Sequence, residues 1–316
     1  MHMDIPENNS NTKVPSVLIT GGSGLVGTYL TNLLLSEGFN VSHLSRKAGS
    51  NDKVKVFKWE PEKKIIDSKA LEGLDFIVHL AGANIGEKRW SSSRKEEIIR
   101  SRVDSSVFLH EKIAEAGTSL KAFISASATG YYGSVTSEKI FHEDDEPGND
   151  FLGNTSRKWE EAADLFRNSG IRTVKIRTAV VLEKNDSALA KLMLPGKFGL
   201  LLKTGNGEQY MPWIHIIDLC GIYLKAIEDA GMAGPYNAVA PYHVSHSDFM
   251  NILGEVMGRH VLQAGIPSFI LRAALGEMSD VVLKGSRVSS EKIINSGYSF
   301  IYRDLHDALT SAIHIY

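Results

Sequence analysis

Residues 17–27 of this chain read VLITGGSGLVG, and this stretch decides the fold. A short apolar run ends in a cluster of glycines, and residues 25–37 then place apolar side chains at the spacing of one helix face. The sequence therefore predicts a strand, a tight turn and a helix in direct succession. Gly22 would permit the turn, Gly24 would let a ligand approach the backbone, and Gly27 would let the helix pack close to the strand.

This strand–turn–helix unit is typical of a dinucleotide site. The first turn of the helix offers free N–H groups and a partial positive charge, which suit a pyrophosphate. A glycine-rich turn without a ligand is the alternative, and the position of the turn between strand and helix favours the site. The predicted phosphate-binding residues are Gly21, Gly22, Ser23, Gly24, Leu25, Val26 and Gly27.

The end of the predicted second strand indicates which dinucleotide binds. A site for NAD usually carries Asp or Glu there, about 20 residues beyond the glycine turn, to accept from the ribose 2′-hydroxyl. This chain has Ser45-Arg46-Lys47 instead. A guanidinium suits a 2′-phosphate through paired, charge-assisted hydrogen bonds. We therefore predict NADP(H) as the cofactor, with a solvated basic strand end as the alternative.

Composition excludes several other classes of protein. The chain has 316 residues, with 35 Lys and Arg against 37 Asp and Glu, so no basic surface predicts a nucleic-acid partner. The single cysteine, Cys220, cannot form an internal disulfide or a cysteine-based zinc site, and we predict no metal. No apolar run is long enough for a bilayer, and residues 1–15 are polar, so we expect a flexible tail on a cytoplasmic protein without membrane contact.

Strands and helices are predicted to alternate as far as residue 182. The fold class expected is α/β, a Rossmann-type doubly wound parallel sheet with a small mixed C-terminal substrate-side domain. Glycines and prolines within residues 195–213 favour a long loop, which we interpret as a substrate-side lid. The predicted organisation is a tail at 1–15, an NADP-binding domain at 16–182 to which 214–240 return, and a substrate-side domain at 183–213 and 241–316.

Several segments resemble the extended and atypical short-chain dehydrogenase/reductases. Residues 79–82 (HLAG) and 213–219 (WIHIIDL) resemble segments of the sugar-nucleotide epimerases. Residues 88–90 (KRW), 125–133 (SASATGYYG) and 275–278 (LGEM) narrow the resemblance to an atypical group often labelled epimerase family proteins, which has a small C-terminal module of its own.

The resemblance implies further cofactor contacts. Ser45 and Arg46 fall where the family meets the adenosine phosphate, and Val181 falls near the nicotinamide end. An ion pair between the two charged residues of the helix after the HLAG turn, Glu97 and Arg102, is the alternative to a role for both in the cleft. The implied contact residues are Ser45, Arg46, Leu80, Ala81, Gly82, Glu97, Arg102 and Val181.

The catalytic pattern departs from that family. Most of its reductases use Tyr-x-x-x-Lys, but here Leu152 and Ser156 fall in those slots, and no tyrosine is followed by lysine four residues later. Ser127 aligns with the serine that binds the substrate carbonyl. The nearest proton donors are Tyr131 and Tyr132, and a tyrosine with a pKa near 10 can serve as an acid without its lysine. By resemblance only, the substrate side is shaped by Arg89, Trp90 and Gln209.

Two functions from different classes follow. The first is an NADP(H)-dependent oxidoreductase or epimerase-like enzyme with an unusual proton donor, acting on a small molecule as a monomer or homodimer. The second is a catalytically degenerate NADP-binding sensor or scaffold protein. Ser127 favours the enzyme, and the loss of the Tyr/Lys pair favours the sensor.

Overall fold

The computed structural model describes residues 13–50, 53–185, 187–196, 199–258 and 262–314, so residues 1–12 of the predicted tail lie outside it. The strands described are β1 (Ser16–Thr20), β2 (Asn40–Ser45), β3 (Gly49–Ser50), β4 (Lys55–Glu60), β5 (Ile65–Ile66), β6 (Phe76–His79), β7 (Ala122–Ala128), β8 (Ile140–Phe141), β9 (Arg172–Thr178), β10 (Val180–Leu182), β11 (Leu200–Thr204), β12 (Trp213–His215), β13 (Gly234–Ala238), β14 (Leu262–Ile266) and β15 (Arg287–Val288). The helices described are α1 (Leu25–Ser36), α2 (Ser92–Ala116), α3 (Phe151–Asn168), α4 (Ala188–Gly196), α5 (Ile216–Glu228), α6 (His246–Val256), α7 (Ser268–Leu275), α8 (Asp280–Leu283), α9 (Glu291–Asn295) and α10 (Leu305–His314).

The main sheet confirms the predicted fold class. Its spatial order is β13-β9-β7-β6-β1-β2-β4-β3, with β5 paired to the far end of β4. Every pair from β13 to β4 is parallel, and only the short β3 and β5 run antiparallel. Strand order reverses on either side of β1, so crossover helices cover both faces in a Rossmann-type, doubly wound arrangement.

The central strand β1 shows why both faces are apolar. Val17 and Ile19 point to one face, where they share a buried cluster with side chains of α1 and α5. Leu18 points to the other face and packs in a cluster with side chains of α2 and α3. Because successive strand residues alternate between faces, an unbroken apolar run such as residues 17–19 is what a strand covered on both sides requires.

The region after β9 is more regular than predicted. The long loop expected at 195–213 is wrong, because it contains the end of α4 and also β11, which pairs in parallel with β14. Gly199 (φ +79°) and Gly205 (φ +62°) flank β11 and end it rather than marking a continuous loop. The sequence predicts one strand with short helices from about residue 237 to 316, but the described residues there include both β14 and β15.

The sequence predicts a helix over 156–168, but helix α3 begins five residues earlier, at Phe151. The reason is a side-chain cap, since the Asp150 carboxylate accepts a hydrogen bond from Gly153 N at 2.8 Å. This early start places Leu152 in the first turn of the helix, where it faces the candidate site.

Two further structural units complete the chain. Residues 214–240 supply α5 to one face of the main sheet and β13 to its edge. A third apolar cluster lies beside the sheet, and the elements that form it are β10, β12, α4, β11, α6 and α10.

Candidate active site

The glycine turn between β1 and α1 is open to a ligand on one side, at Gly24. Gly21 is the left-handed residue of the turn (φ +71°), whereas Gly22 leaves room for the His43 ring, 2.5 Å from where a Cβ would lie. A Cβ on Gly27 would lie 2.5 Å from the Gly21 carbonyl oxygen, so the helix packs tightly there. A Cβ on Gly24 would meet only that same oxygen, at 3.3 Å, among the described residues. Gly24 begins α1 without a side-chain cap, so the helix N-terminus is free for an anion.

Buried hydrogen bonds fix the HLAG turn (residues 79–82) beside the glycine turn. Thr20 Oγ1 accepts hydrogen bonds from Leu80 N and Ala81 N, both at 3.1 Å, and lies 2.8 Å from His79 Nδ1. Since that oxygen already accepts two bonds, its hydrogen goes to Nδ1, and His79 Nε2–H then donates to Ser105 Oγ at 3.1 Å. Burial lowers the His79 pKa to about 4, so the ring is neutral and serves to hold the turn.

Arg46 lies at the end of β2, as predicted for a residue that meets the adenosine phosphate. It is exposed, Ser45 before it is half-buried, and residues 40–50 contain no Asp or Glu. No ion pair or hydrogen bond involves the Arg46 side chain within the described ranges. The end of β2 therefore presents a free guanidinium and no acceptor for a ribose 2′-hydroxyl.

Glu97 and Arg102 do not pair with each other. Glu97 accepts a 2.7 Å hydrogen bond from Arg94 Nη1, so the ion pair considered as an alternative is not formed. The Arg102 guanidinium lies above the Trp159 ring at 4.9 Å, and a Cβ on Gly82 would be 3.1 Å from its Cζ.

No carboxylate contacts Arg102 in the described part of the chain, and its guanidinium donates to Ile98 O and Ser101 Oγ. Burial, aided by the positive charge of Arg94, lowers the Arg102 pKa to about 10. The result is a half-buried cation without a counter-charge beside the cofactor turn. An arginine in that position suits an anionic ligand.

The resemblance assigns the slots of the missing catalytic pair to Leu152 and Ser156, and both residues lie in α3. Leu152 is half-buried in the first turn of α3, and Ser156 is buried one turn later. A Cβ on Gly130 would lie 3.4 Å from Leu152 Cβ, so the short 3₁₀ turn at Thr129–Tyr132 packs directly on the slot that the family gives to tyrosine.

Ser127 and Tyr132 belong to one buried hydrogen-bond network. Ser127 Oγ donates to Glu160 Oε1 at 2.7 Å, and Arg177 binds both oxygens of Glu160, with Nε at 2.8 Å and Nη2 at 2.9 Å. Tyr132 accepts from Arg177 Nη1 at 3.0 Å and donates to Asn237 Oδ1 at 2.7 Å.

This network leaves little room for chemistry at two of the three predicted catalytic residues. Ser127 is 3% exposed and Tyr132 is 1% exposed. Burial also raises the pKa of Tyr132 well above its usual value. Both hydroxyls are already paired within the protein, so a substrate would have to displace those partners first.

Tyr131 differs from its neighbour because it is half-buried rather than enclosed. Its ring lies against the guanidinium of Arg177, with Cζ 3.4 Å from the ring centroid, and it meets the Tyr132 ring edge to face. Tyr131 is therefore the predicted proton donor that this geometry leaves accessible.

Sequence reasoning missed the polar partners Glu160, Arg177 and Asn237. One clue was present, since Lys175 and Arg177 stand two residues apart on either side of the apolar Ile176, which puts both cations on one face of β9. Cations on one face of a buried strand require buried acceptors. Lys175 binds Asp164 at 3.0 Å and lies 3.7 Å from Glu160.

The three residues expected on the substrate side are dispersed. Trp90 donates to Ile85 O and packs against the Phe151 ring at 4.7 Å, at the start of α3. The Arg89 guanidinium lies against Gly276 in the C-terminal module. Gln209 is buried, and its amide donates to Thr204 and to Val282 O, so it acts inside that module. Val181 is half-buried in β10, which pairs with β12.

Among the residues that the structure describes, no group of three or more His, Cys, Asp or Glu side chains is placed to hold a metal ion. None of the helices in the described ranges is both long and apolar enough to cross a bilayer.

A Rossmann-type sheet with an open glycine turn after its first strand defines a dinucleotide-binding fold of the short-chain dehydrogenase/reductase type. Residues 17–159 match the NAD dependent epimerase/dehydratase family, and residues 266–312 match a domain of unknown function (DUF1731). The chain is 34% identical to the epimerase family protein ML0860 of Mycobacterium leprae over 94% of this chain and 95% of that one. It is 35% identical to YfhF of Bacillus subtilis over 94% and 98%. This chain belongs to the epimerase family proteins, which are atypical short-chain dehydrogenase/reductases.

Solved structures agree with this assignment. The human epimerase family protein SDR39U1 (isoform 2), solved with NADPH, has a TM-score of 0.83 at 30% identity and covers 95% of this chain and 100% of its own. A nucleoside-diphosphate sugar epimerase from Corynebacterium glutamicum has a TM-score of 0.76 at 34% identity, and this chain spans 58% of it. A Bacillus cereus UDP-glucuronic acid 4-epimerase shares the fold, with a TM-score of 0.76 at 19% identity.

Proposed function

We propose that this protein binds NADP(H) and uses it as an oxidoreductase or epimerase-like enzyme on a small-molecule carbonyl or alcohol. The observation that carries this proposal is the end of β2, where exposed Arg46 stands without any carboxylate between residues 40 and 50. A 2′-phosphate fits that charge and a bare 2′-hydroxyl does not. The human relative solved with NADPH supports the same cofactor.

The other proposed cofactor contacts follow from the geometry of the glycine turn and of the neighbouring HLAG turn. The open N-terminus of α1 at Gly24 would receive the pyrophosphate, and Leu80, Ala81 and Gly82 would line the path towards the nicotinamide. Arg102 supplies a positive charge beside Gly82 that no carboxylate of the described residues contacts. Glu97 keeps Arg94 in place at the start of α2 and is a cofactor contact only through that helix.

The chemistry proposed assigns the proton to Tyr131. When bound, the nicotinamide supplies or accepts a hydride. The protein supplies the proton to the carbonyl oxygen from the Tyr131 hydroxyl, which is the accessible one of the two adjacent phenols. Ser127 acts through Glu160 in this proposal and holds the buried network rather than the substrate. Residues 183–213 and 241–316 would form the substrate side.

Cofactor choice is tested with Arg46→Ala. We expect NADPH to bind about 1.5–3 kcal/mol more weakly, the range of a hydrogen bond to a charged group, while NADH binding stays as it was. Isothermal calorimetry with both cofactors measures this. Arg100→Ala is the matched control, because Arg100 is an exposed arginine on α2 that pairs with Asp104. Equal losses for NADPH and NADH would overturn the assignment of Arg46.

A sensor or scaffold without catalysis is the second candidate. Leu152 and Ser156 in the catalytic slots favour it, as does the enclosure of Ser127 and Tyr132. Binding of NADPH without turnover would support this reading. A cytoplasmic location and a monomeric or homodimeric state remain predictions from the sequence.

Turnover distinguishes the two candidates. NADPH oxidation is followed over a panel of carbonyl compounds with the wild type, Tyr131→Phe and Ser127→Ala. Loss of a positioned proton donor lowers a rate by ~10²–10⁴, so Tyr131→Phe should fall by that factor, and Ser127→Ala should fall less. NADPH affinity is the control and should be unchanged in both variants. A substrate turned over equally well by all three proteins would remove Ser127 and Tyr131 from the mechanism.

A further inference from the structure

The ring of Tyr131 packs against the guanidinium of Arg177, which hydrogen bonds hold in a fixed orientation. Arg177 Cζ lies 3.4 Å from the centroid of that ring, close enough for a stacked cation–π contact. The guanidinium is itself fixed by both oxygens of Glu160, by the Tyr132 hydroxyl and by Glu143 O at 3.0 Å. Arg177 is 2% exposed, so the charge is shielded from solvent and its effect on a neighbour is strong.

We propose that Arg177 takes the place of the missing lysine, as the positioning residue that orients Tyr131 and stabilises its tyrosinate. The proposal rests on the proposed function, in which Tyr131 is the proton donor. Arg177 comes from β9 rather than from α3, where the Tyr-x-x-x-Lys pattern would put its lysine. The charge would thus reach the phenol from the sheet side, because the helix side carries Leu152 and Ser156.

The proton transfer balances with the NADPH of the proposed function and with water as its only other reactants. The O–H bond of Tyr131 breaks as an O–H bond forms on the substrate oxygen, while the hydride comes from the NADPH of the proposed function. The phenolate left behind carries a negative charge beside the Arg177 cation and regains its proton from water. Half-exposure of Tyr131 gives water that access, whereas Tyr132 is enclosed.

The other charges around Tyr131 set the size of the effect. Burial raises the Tyr131 pKa, Arg177 acts against that rise, and the carboxylates of Glu160 and Glu146 add to it. Arg177 is the positive charge in contact with the ring, and Glu160 is the negative charge paired to it. Removing the Arg177 charge should therefore raise the Tyr131 pKa, and removing the Glu160 charge should lower it.

The experiment is a pH titration of Tyr131 by NMR, in protein labelled with ¹³Cζ-tyrosine and with the resonance assigned through Tyr131→Phe. Arg177→Gln should raise the midpoint of the titration by about one pH unit or more, because an opposite charge in contact shifts a pKa on that scale. Glu160→Gln keeps the arginine and should lower the midpoint, which serves as the test if Arg177→Gln does not fold. A midpoint unchanged in Glu160→Gln, or in a folded Arg177→Gln, would overturn the proposal.

NADPH binding is measured on the same samples, so that two failures can be told apart. A wild type that binds no NADPH overturns the proposed function, whereas the Tyr131 titration still reports on Arg177. Normal NADPH binding together with an unmoved Tyr131 overturns the role of Arg177 alone. Once a substrate is found, the alkaline limb of the kcat profile should move with the NMR midpoint in Glu160→Gln.

Discussion

At the residue scale, two glycines of the turn have different roles, one in ligand binding and one in folding. The Cβ direction of Gly24 is open, but that of Gly27 points at backbone atoms 2.5–2.8 Å away. We expect Gly24→Val to abolish NADPH binding while the protein stays folded, because its side chain would fill the space that a pyrophosphate needs. Calorimetry and circular dichroism measure the two effects.

Gly27→Val is the matched comparison for that experiment. The same side chain would there collide with the turn itself, so this variant should lose stability as well as binding. NADPH affinity unchanged in Gly24→Val would mean that the dinucleotide binds elsewhere.

The residue scale also shows where prediction from sequence ends. Gly21 to Gly27 form the expected turn because their positions depend on spacing along a single strand–turn–helix unit, and Arg46 follows the next strand, β2, as expected. The partners of Ser127 were not predictable in that way, since Glu160 is 33 positions away. Whether a hydroxyl is free or paired depends on which distant side chain the fold brings to it.

At the element scale, β11 and β14 form a pair separate from the main sheet. Two-stranded sheets have little stability of their own, and β11 lies within residues 195–213, the segment interpreted as a substrate-side lid. In the absence of ligand, we expect the amides of β11 to exchange roughly ten-fold or more faster than those of β7 and β9. Hydrogen exchange with mass spectrometry measures this, and equal protection would exclude a mobile lid.

Composition misled the prediction for this element. Glycines and prolines usually mark loops, and residues 195–213 are rich in both. The short apolar run of β11 forms a strand because β14, about 60 residues later, offers it a partner. A pairing between such distant segments leaves no local pattern, whereas the helix periodicity of α1 is local and was predicted.

At the scale of the whole molecule, three buried histidines should make folding sensitive to acid. Burial lowers the pKa of His79, His215 and His246 to about 4 in the folded protein. Each titrates near 6.5 when unfolded, so between pH 6.5 and 4 the unfolded state binds more protons than the folded state. The free energy of unfolding therefore decreases as the pH is lowered through this range. We expect the free energy of unfolding to drop by about 2 kcal/mol per histidine between pH 7.5 and pH 5.

Urea unfolding at the two pH values measures that drop. His306→Gln is the control, because this side chain is 56% exposed and the substitution removes none of the three buried rings. A free energy of unfolding that is the same at pH 7.5 and pH 5 would contradict the expectation.

The edge strand β13 has a consequence for synthesis of the chain on the ribosome. Strand β9 has no neighbour on that side until residues 234–238 have emerged, so the nascent protein exposes an unpaired edge while more than fifty further residues are made. Asn237, which binds the Tyr132 hydroxyl, lies on β13, the last strand of the main sheet to be synthesised. The hydrogen-bond network of Tyr132 and Arg177 is therefore completed only when β13 pairs with β9. A chain released before that point would lack both the edge strand and the Asn237 contact.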